Sequence, residues 1–246
     1  MTTETDVKAL LIMTAFNQAR NYLDLRRNLY PEHTLSLFKT KSSGLSIKKS
    51  SCTKIISAKE FGSLEELEKN AKKCKKCNLH KTRKNVVFGS GTGKLKLLII
   101  GEAPGAEEDE KGEPFVGRAG KLLTKMLSAI GIERDDVYIC NVLKCRPPNN
   151  RDPLPEEIKN CSCYLDMQID FLKPRYILAL GRIAAVRILN KNETMKELRE
   201  QIHRYRNIPV YVTYHPSALL RNPKWKYPAW DDLKKLKEAM ETEVEK

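Results

Sequence analysis

The chain has 246 residues, enough for one α/β domain with a substantial core plus an appendage. Its 41% hydrophobic and 31% charged residues are those of a soluble globular protein, and its apolar runs, such as LLII at 97–100, are far too short to span a bilayer. The net charge of +14 favours a polyanionic partner, most plausibly nucleic acid, although charge alone does not choose between DNA, RNA and anionic lipid.

The N-terminus, MTTETDVKALLIMTAFNQAR, has no basic stretch before its short apolar run, so neither a signal peptide nor a lipid anchor is expected and the protein should be intracellular. Val7, Leu10, Leu11, Met13, Phe16, Tyr22 and Leu25 recur at helical spacing and predict a helical extension within residues 1–30. KTKSSGLSIKKSSCTK marks residues 31–60 as a basic, flexible linker. Ser63-Leu64-Glu65-Glu66 has the form of a capping box, so a helix should run from there to about residue 73 and deliver Cys74 at its end.

Beyond this point strands and helices alternate. Strands are expected at 95–100, 137–140, 176–180 and 210–213, and helices at 121–130, 155–172, 182–189 and from about 231. This alternation predicts an α/β fold with a four-stranded parallel sheet between two helical layers, hence α/β/α. Ligands of such sheets sit beyond the carboxyl ends of the strands. The unusual residues fall there: GEAPG after the first strand, Asn141 after the second, His215 after the fourth.

Seven cysteines are an odd number, and a C-x2-C pair in an intracellular protein favours metal over disulfides. Cys74 and Cys77 form that pair, with Cys145 and Cys161 as later singletons. Four thiolates hold either a tetrahedral zinc or a [4Fe-4S] cluster, and the scatter of the last two suits the cluster better than a zinc ribbon. Cys163, two residues on, competes with Cys161; Cys52 and Cys140 are spares.

GEAPG at 101–105 lets backbone approach a ligand, but no nucleotide-binding glycine spacing is present. Phe115, in GEPFVGRAG, is either a core plug or a stacking platform for a planar ligand. The Asn141 amide could cap a turn or pair bidentately with a pyrimidine edge. His215 lies in YHPSALLRNP, whereas His33, His80 and His203 have no motif around them. Arg146 and Arg151 in RPPNNRDPLP make a stiff basic loop suited to phosphates. Ser217-Ala218-Leu219-Leu220-Arg221 reads as a small apolar wedge backed by a cation.

Together the motifs C-x2-C, GEAPGxxED, GxPFVGRAGxLL, KCRPPxNRxP, the later cysteine before YL, and HPSxLLRNP resemble the family-4, iron–sulfur uracil-DNA glycosylases of archaea and bacteria over roughly residues 70–240. The resemblance implies that residues 61–246 form a glycosylase domain with the fold of that superfamily. It implies excision of uracil from single- or double-stranded DNA, leaving an abasic site. Glu102, Ala103 and Pro104 would line the uracil pocket, Phe115 would stack on the base, Asn141 would read its edge and His215 would face O2. Glu102 and His215 would be the catalytic pair, since Ala103 stands where better-known members of the superfamily carry a water-positioning Asp. Cys74, Cys77, Cys145 and Cys161 would hold a [4Fe-4S] cluster, with Tyr164-Leu165 setting the alignment that prefers Cys161. Arg146, Arg151, Ser217, Leu219 and Arg221 would contact DNA, Leu219 as the wedge.

The chain should act as a nucleoid-associated monomer with no membrane role. Outside the resemblance, Glu32-His33-Thr34-Leu35-Ser36-Leu37-Phe38 weakly resembles a sliding-clamp-binding peptide, without the leading Gln and second aromatic. The competing functional reading is a non-catalytic iron–sulfur DNA-binding module on the same scaffold.

Overall fold

The computed structural model describes residues 60–191 and 193–244; the expected N-terminal helix, the basic linker and the clamp-like peptide lie outside the described residues. Five strands form one sheet: β1 (Leu97–Gly101), β2 (Tyr138–Asn141), β3 (Tyr176–Leu180), β4 (His203–Tyr205) and β5 (Ile208–Thr213). Their spatial order is β2-β1-β3-β5-β4. The first three pairings are parallel, with Ile99 facing Ile139 and Leu178, and Ala179 facing Val212.

The parallel strands are buried on both faces, which is why β1 reads LLIIG rather than alternating with polar residues. Successive side chains go to opposite faces. Leu97 and Ile99 pack with Leu123 and Leu127 of α3 (Arg118–Ala129) and with Leu233 and Leu236 of α8 (Lys226–Val244). Leu98 and Ile100 pack with Leu165 and Ile169 of α4 (Pro155–Leu172) and with Ala184 and Ile188 of α5 (Arg182–Leu189). The result is the three-layer α/β/α architecture.

The sheet departs from expectation at one edge. β4 pairs antiparallel with β5, so the sheet has five strands rather than four and is not wholly parallel. The pair closes through Arg206 and Asn207, both left-handed at φ 47° and 67°, as a two-residue hairpin requires. Three residues with one buried side chain give no period to read. His203 is that buried residue, its Nε2 2.9 Å from the Leu198 carbonyl oxygen, a structural position consistent with its lack of motif.

The first described helix, α1 (Leu64–Lys72), starts as expected at Ser63, whose hydroxyl accepts from Glu66 N at 3.3 Å. The reciprocal bond is displaced by one residue, because the Glu66 carboxylate accepts from Gly62 N at 2.7 Å. At α4, Pro155 fixes the first turn and the Glu157 carboxylate accepts from Leu154 N at 2.9 Å. A third apolar cluster joins α1 to α4 through Leu67, Ala71, Phe88, Leu143, Tyr164 and Met167. It is the bed on which the cysteine region rests. Among the described residues, no helix is long and apolar enough to cross a membrane.

Candidate active site

From β1 the chain feeds β2 on one side of the sheet, while β3 lies on the other, so a crevice opens beyond the carboxyl ends of these strands. A cavity of about 690 Å³ occupies it. Its lining includes Glu102, Ala103, Pro104, Phe115, Asn141 and His215, so the residues expected in the pocket from four distant segments do converge.

Gly101 underlies the floor, behind the Phe115 and Asn141 side chains that line it. A Cβ there would lie 2.5 Å from Phe115 Cζ and closer still to Asn141 Oδ1, so the missing side chain is what lets ring and amide meet. Asn141 is 1% exposed, and its Oδ1 is buried without a hydrogen-bond partner. A buried orphan acceptor costs roughly 1–3 kcal/mol, a cost a bound N–H donor would offset.

Phe115 sits in the left-handed region at φ 54°. Three contacts hold it there. The Phe115 carbonyl passes so close to Gly120 that a Cβ at Gly120 would overlap it. Arg134 Nη2 donates to the preceding Pro114 carbonyl at 2.7 Å. Glu108 Oε1 accepts from Val116 N at 3.0 Å and from Gly117 N at 2.9 Å, while its Oε2 accepts from Gly105 N at 3.1 Å. One carboxylate therefore ties the GEAPG loop to the PFVG loop. Next to it in sequence, Asp109 is buried and accepts from Lys84 N at 3.0 Å. The motif already contained this Glu-Asp pair, but a run of acids before a short helix reads as solvated surface.

His215 precedes α7 (Pro216–Arg221), and its ring lies 5.5 Å from that of Phe115. Its Nδ1 accepts from Ser217 N at 3.2 Å. A backbone amide can only donate, so the neutral ring carries its proton on Nε2. Burial, assisted by the Arg221 cation and opposed by Glu108, lowers the His215 pKa from 6.5 to about 4. The ring is thus a neutral donor at physiological pH. Burial raises the Glu102 carboxyl above its usual range; Asp152 adds to the rise and Arg221 opposes it.

Two expected DNA contacts change. Leu219 is 1% exposed and belongs to the interior, whereas Leu220 is 45% exposed. The helical turn that begins at Pro216 sends the two leucines in different directions, so Leu219 is not a surface wedge. Arg151 turns onto Glu157, with Nη1 and Nη2 donating to its two oxygens at 2.9 and 2.6 Å. It braces the loop instead of standing free for phosphate. Arg146 donates from Nε to Asn150 Oδ1 at 2.8 Å, and Ser217 and Arg221 line the cavity rim.

Cys74, Cys77, Cys145, Cys161 and Cys163 gather at the apolar cluster that joins α1 to α4. Cys74, Cys77, Cys145 and Cys161 line one small void together with Arg83, Lys144 and Tyr164, and Cys163 does not border it. No group of three or more His, Cys, Asp or Glu among the described residues closes around a single ion. Thiols ringing a void suit a polynuclear cluster better than one zinc. The surroundings suit charged sulfur: Arg83 Nη1 donates to Cys145 Sγ at 3.1 Å and Lys144 N to Cys161 Sγ at 3.3 Å. Burial raises the bare thiols of Cys77 and Cys145, and that of Cys161 to about 12, so metal would have to drive their deprotonation. The fit is that of an iron–sulfur site.

Lys144 belongs to both regions. Besides the bond to Cys161, its Nζ donates to the Asn141 carbonyl at 2.7 Å and to Gln168 Oε1 at 2.5 Å. In the sequence it is an ordinary lysine before a cysteine.

The sequence that builds this sheet and cavity matches a known group. The family model described as "Uracil DNA glycosylase superfamily" matches residues 88–234, and the chain belongs to that superfamily. Within it, similarity runs to the type-4 branch. The chain is 46% identical to the type-4 uracil-DNA glycosylase of Archaeoglobus fulgidus over 184 residues, covering 72% of this chain and 92% of that protein. It is 49% identical to the Pyrobaculum aerophilum protein of the same name, covering 65% and 86%, and 47% identical to that of Thermotoga maritima, covering 65% and 84%.

Proposed function

We infer that this chain, a uracil-DNA glycosylase of the type-4 branch, hydrolyses the N-glycosidic bond of a deoxyuridine flipped out of DNA, releasing uracil and leaving an abasic site. The observation that carries this reading is the orphan Asn141 Oδ1, buried beside the Phe115 ring on the bare floor of Gly101. Uracil supplies the missing partner: its N3–H donates to Oδ1 while O4 accepts from the amide. Cytosine reverses donor and acceptor at that edge and leaves both groups unpaired.

Bond cleavage builds positive charge on the sugar and negative charge on the departing uracil. His215, neutral with its proton on Nε2, donates toward O2 as that charge grows. Glu102, beyond the end of β1, orients the attacking water and faces the cationic sugar. Ala103 leaves no carboxylate at the neighbouring position to share this work.

Flipping costs a few kcal/mol in a duplex and less in a single strand, so both substrates are accessible. Arg146, Ser217 and Arg221 meet the backbone, and Leu220 takes the wedge position that Leu219 cannot. Cys74, Cys77, Cys145 and Cys161 hold a [4Fe-4S] cluster whose role is structural: it fastens α1 to the segment that carries Asn141.

The test is release of free uracil from an oligonucleotide with one deoxyuridine, with Asn141→Ala alongside. Release by the wild type and at least a hundredfold loss in the variant support the reading. Binding of uracil-DNA without release would make the chain a non-catalytic module.

A further inference from the structure

The cavity is larger than one pyrimidine needs, and part of its lining lies outside the residues assigned to uracil. Tyr214, Trp225, Arg182 and Met195 line that part. Tyr214 and Trp225 stack with ring centroids 4.7 Å apart and planes 17° from parallel. The Arg199 guanidinium carbon lies 4.4 Å from the Tyr214 centroid. Two groups so close cannot share one face of a ring, so Tyr214 is sandwiched between guanidinium and indole. The column is anchored at its inner end. Arg199 donates to both Asp232 oxygens, at 2.6 and 3.0 Å, and to the Pro228 carbonyl at 2.7 Å. At its outer end Trp225 is 40% exposed, although a large aromatic with an exposed area is costly to leave in water.

We propose that Trp225 is a stacking platform for the nucleobase next to the flipped uridine, the outermost layer of a column that already contains Arg199 and Tyr214. This rests on the uracil-excision reading and extends it to the strand. The occupant is a nucleobase on three grounds. The platform shares its cavity with the Asn141 and Phe115 pocket. Exposed Arg221 and Lys224 flank it in RNPKWKY, where the sugar–phosphate would pass. A rigid π-face on a basic rim takes any base without regard to sequence. Flipping deprives the neighbouring base of one stacking partner, and Trp225 replaces it.

The test is a cycle across protein and substrate. Single-stranded oligonucleotides carry one deoxyuridine with its 5′ neighbour, its 3′ neighbour or neither replaced by an abasic spacer. Wild type, Trp225→Phe and Trp225→Ala are compared in kcat/KM and, independently, in Kd by anisotropy. The wild type should lose about tenfold when one of the two neighbours is removed. Trp225→Ala should show that loss on the intact strand and be indifferent to the spacer, and Trp225→Phe should keep most of the sensitivity. Equal spacer sensitivity in the wild type and Trp225→Ala, or none in either, overturns the platform. If no uracil is released, the excision reading fails, yet the binding cycle still decides the platform. If Trp225→Ala does not fold, a Trp230→Phe protein replaces it. Its remaining indole fluorescence should be quenched by the intact strand and not by the spacer strand, and equal quenching by both refutes the proposal.

Discussion

The cavity around Asn141 and the cysteine corner sit at opposite ends of the Asn141–Cys145 segment and are built on opposite rules. In the pocket, loops from four strand ends converge and leave the Asn141 acceptor unsatisfied. At the corner, the sulfurs of Cys145 and Cys161 each have an N–H donor, and the surroundings are an apolar cluster. A group meant for a ligand is kept short of partners, whereas a group meant to hold the fold is supplied with them. Predictions follow from breaking each rule in turn.

The largest effect should come from the corner. Cys161→Ser should lose iron and labile sulfide, bleach the brown colour of a cluster and unfold at far lower temperature, taking activity with it. Cys163→Ser should retain iron; a variant that loses it would reverse the ligand assignment. The pocket should behave oppositely. His215→Ala should cost about 10²–10³-fold in kcat while lowering the melting temperature far less than Cys161→Ser does, which single-turnover kinetics and calorimetry would separate.

The two leucines give the same contrast within one short helix. Leu219→Ala should cost about 2–5 kcal/mol of stability on denaturant titration. Leu220→Ala should cost almost none, but should slow excision from duplex more than from single strands. Comparable destabilisation by both would contradict their placement.

Lys144 tests whether the two regions are mechanically joined. Lys144→Met leaves the Asn141 carbonyl and Gln168 Oε1 without their donor, worth about 1–3 kcal/mol. Its kcat should fall more than its KM rises, because Asn141 is misplaced and not removed.

The last effect concerns pH. The folded protein holds His215 neutral down to about pH 4, against 6.5 when exposed, so it binds fewer protons folded than unfolded in that interval. This contribution is fully present above pH 6.5 and is lost as pH falls toward 4. The ring borders an open cavity, so it amounts to about 1–3 kcal/mol rather than the full shift. The stability of His215→Gln should therefore fall less than that of the wild type between pH 7 and 5, as read from urea midpoints.

Much of this was legible before any coordinates. The helix at Pro155–Leu172 and the strand at Tyr176–Leu180 were bounded correctly because Pro155 and Gly181 punctuate strong apolar patterns. Three kinds of feature were not legible. β4 is too short to carry a period. Leu219 and Leu220 are neighbours of one type, and only the helical phase set by Pro216 tells them apart. Glu108, Gly120 and Lys144 meet segments close to them in sequence, Gly105 and Gly117, Phe115 and Asn141 respectively, but only through the way the chain turns back on itself, which sequence does not display. Gly101 and the Trp225 column belong to the same class, since close approach becomes visible only when two strands are side by side.

Gly101 also limits what the pocket can become. With Phe115 and Asn141 resting on its bare backbone, no side chain can be grafted onto the floor without evicting one of them. Any redesign toward a bulkier or differently substituted base has to be made in the walls, where Ala103, Ala119 and Ala218 offer small side chains to enlarge or exchange. Selectivity is open to engineering sideways and closed from below.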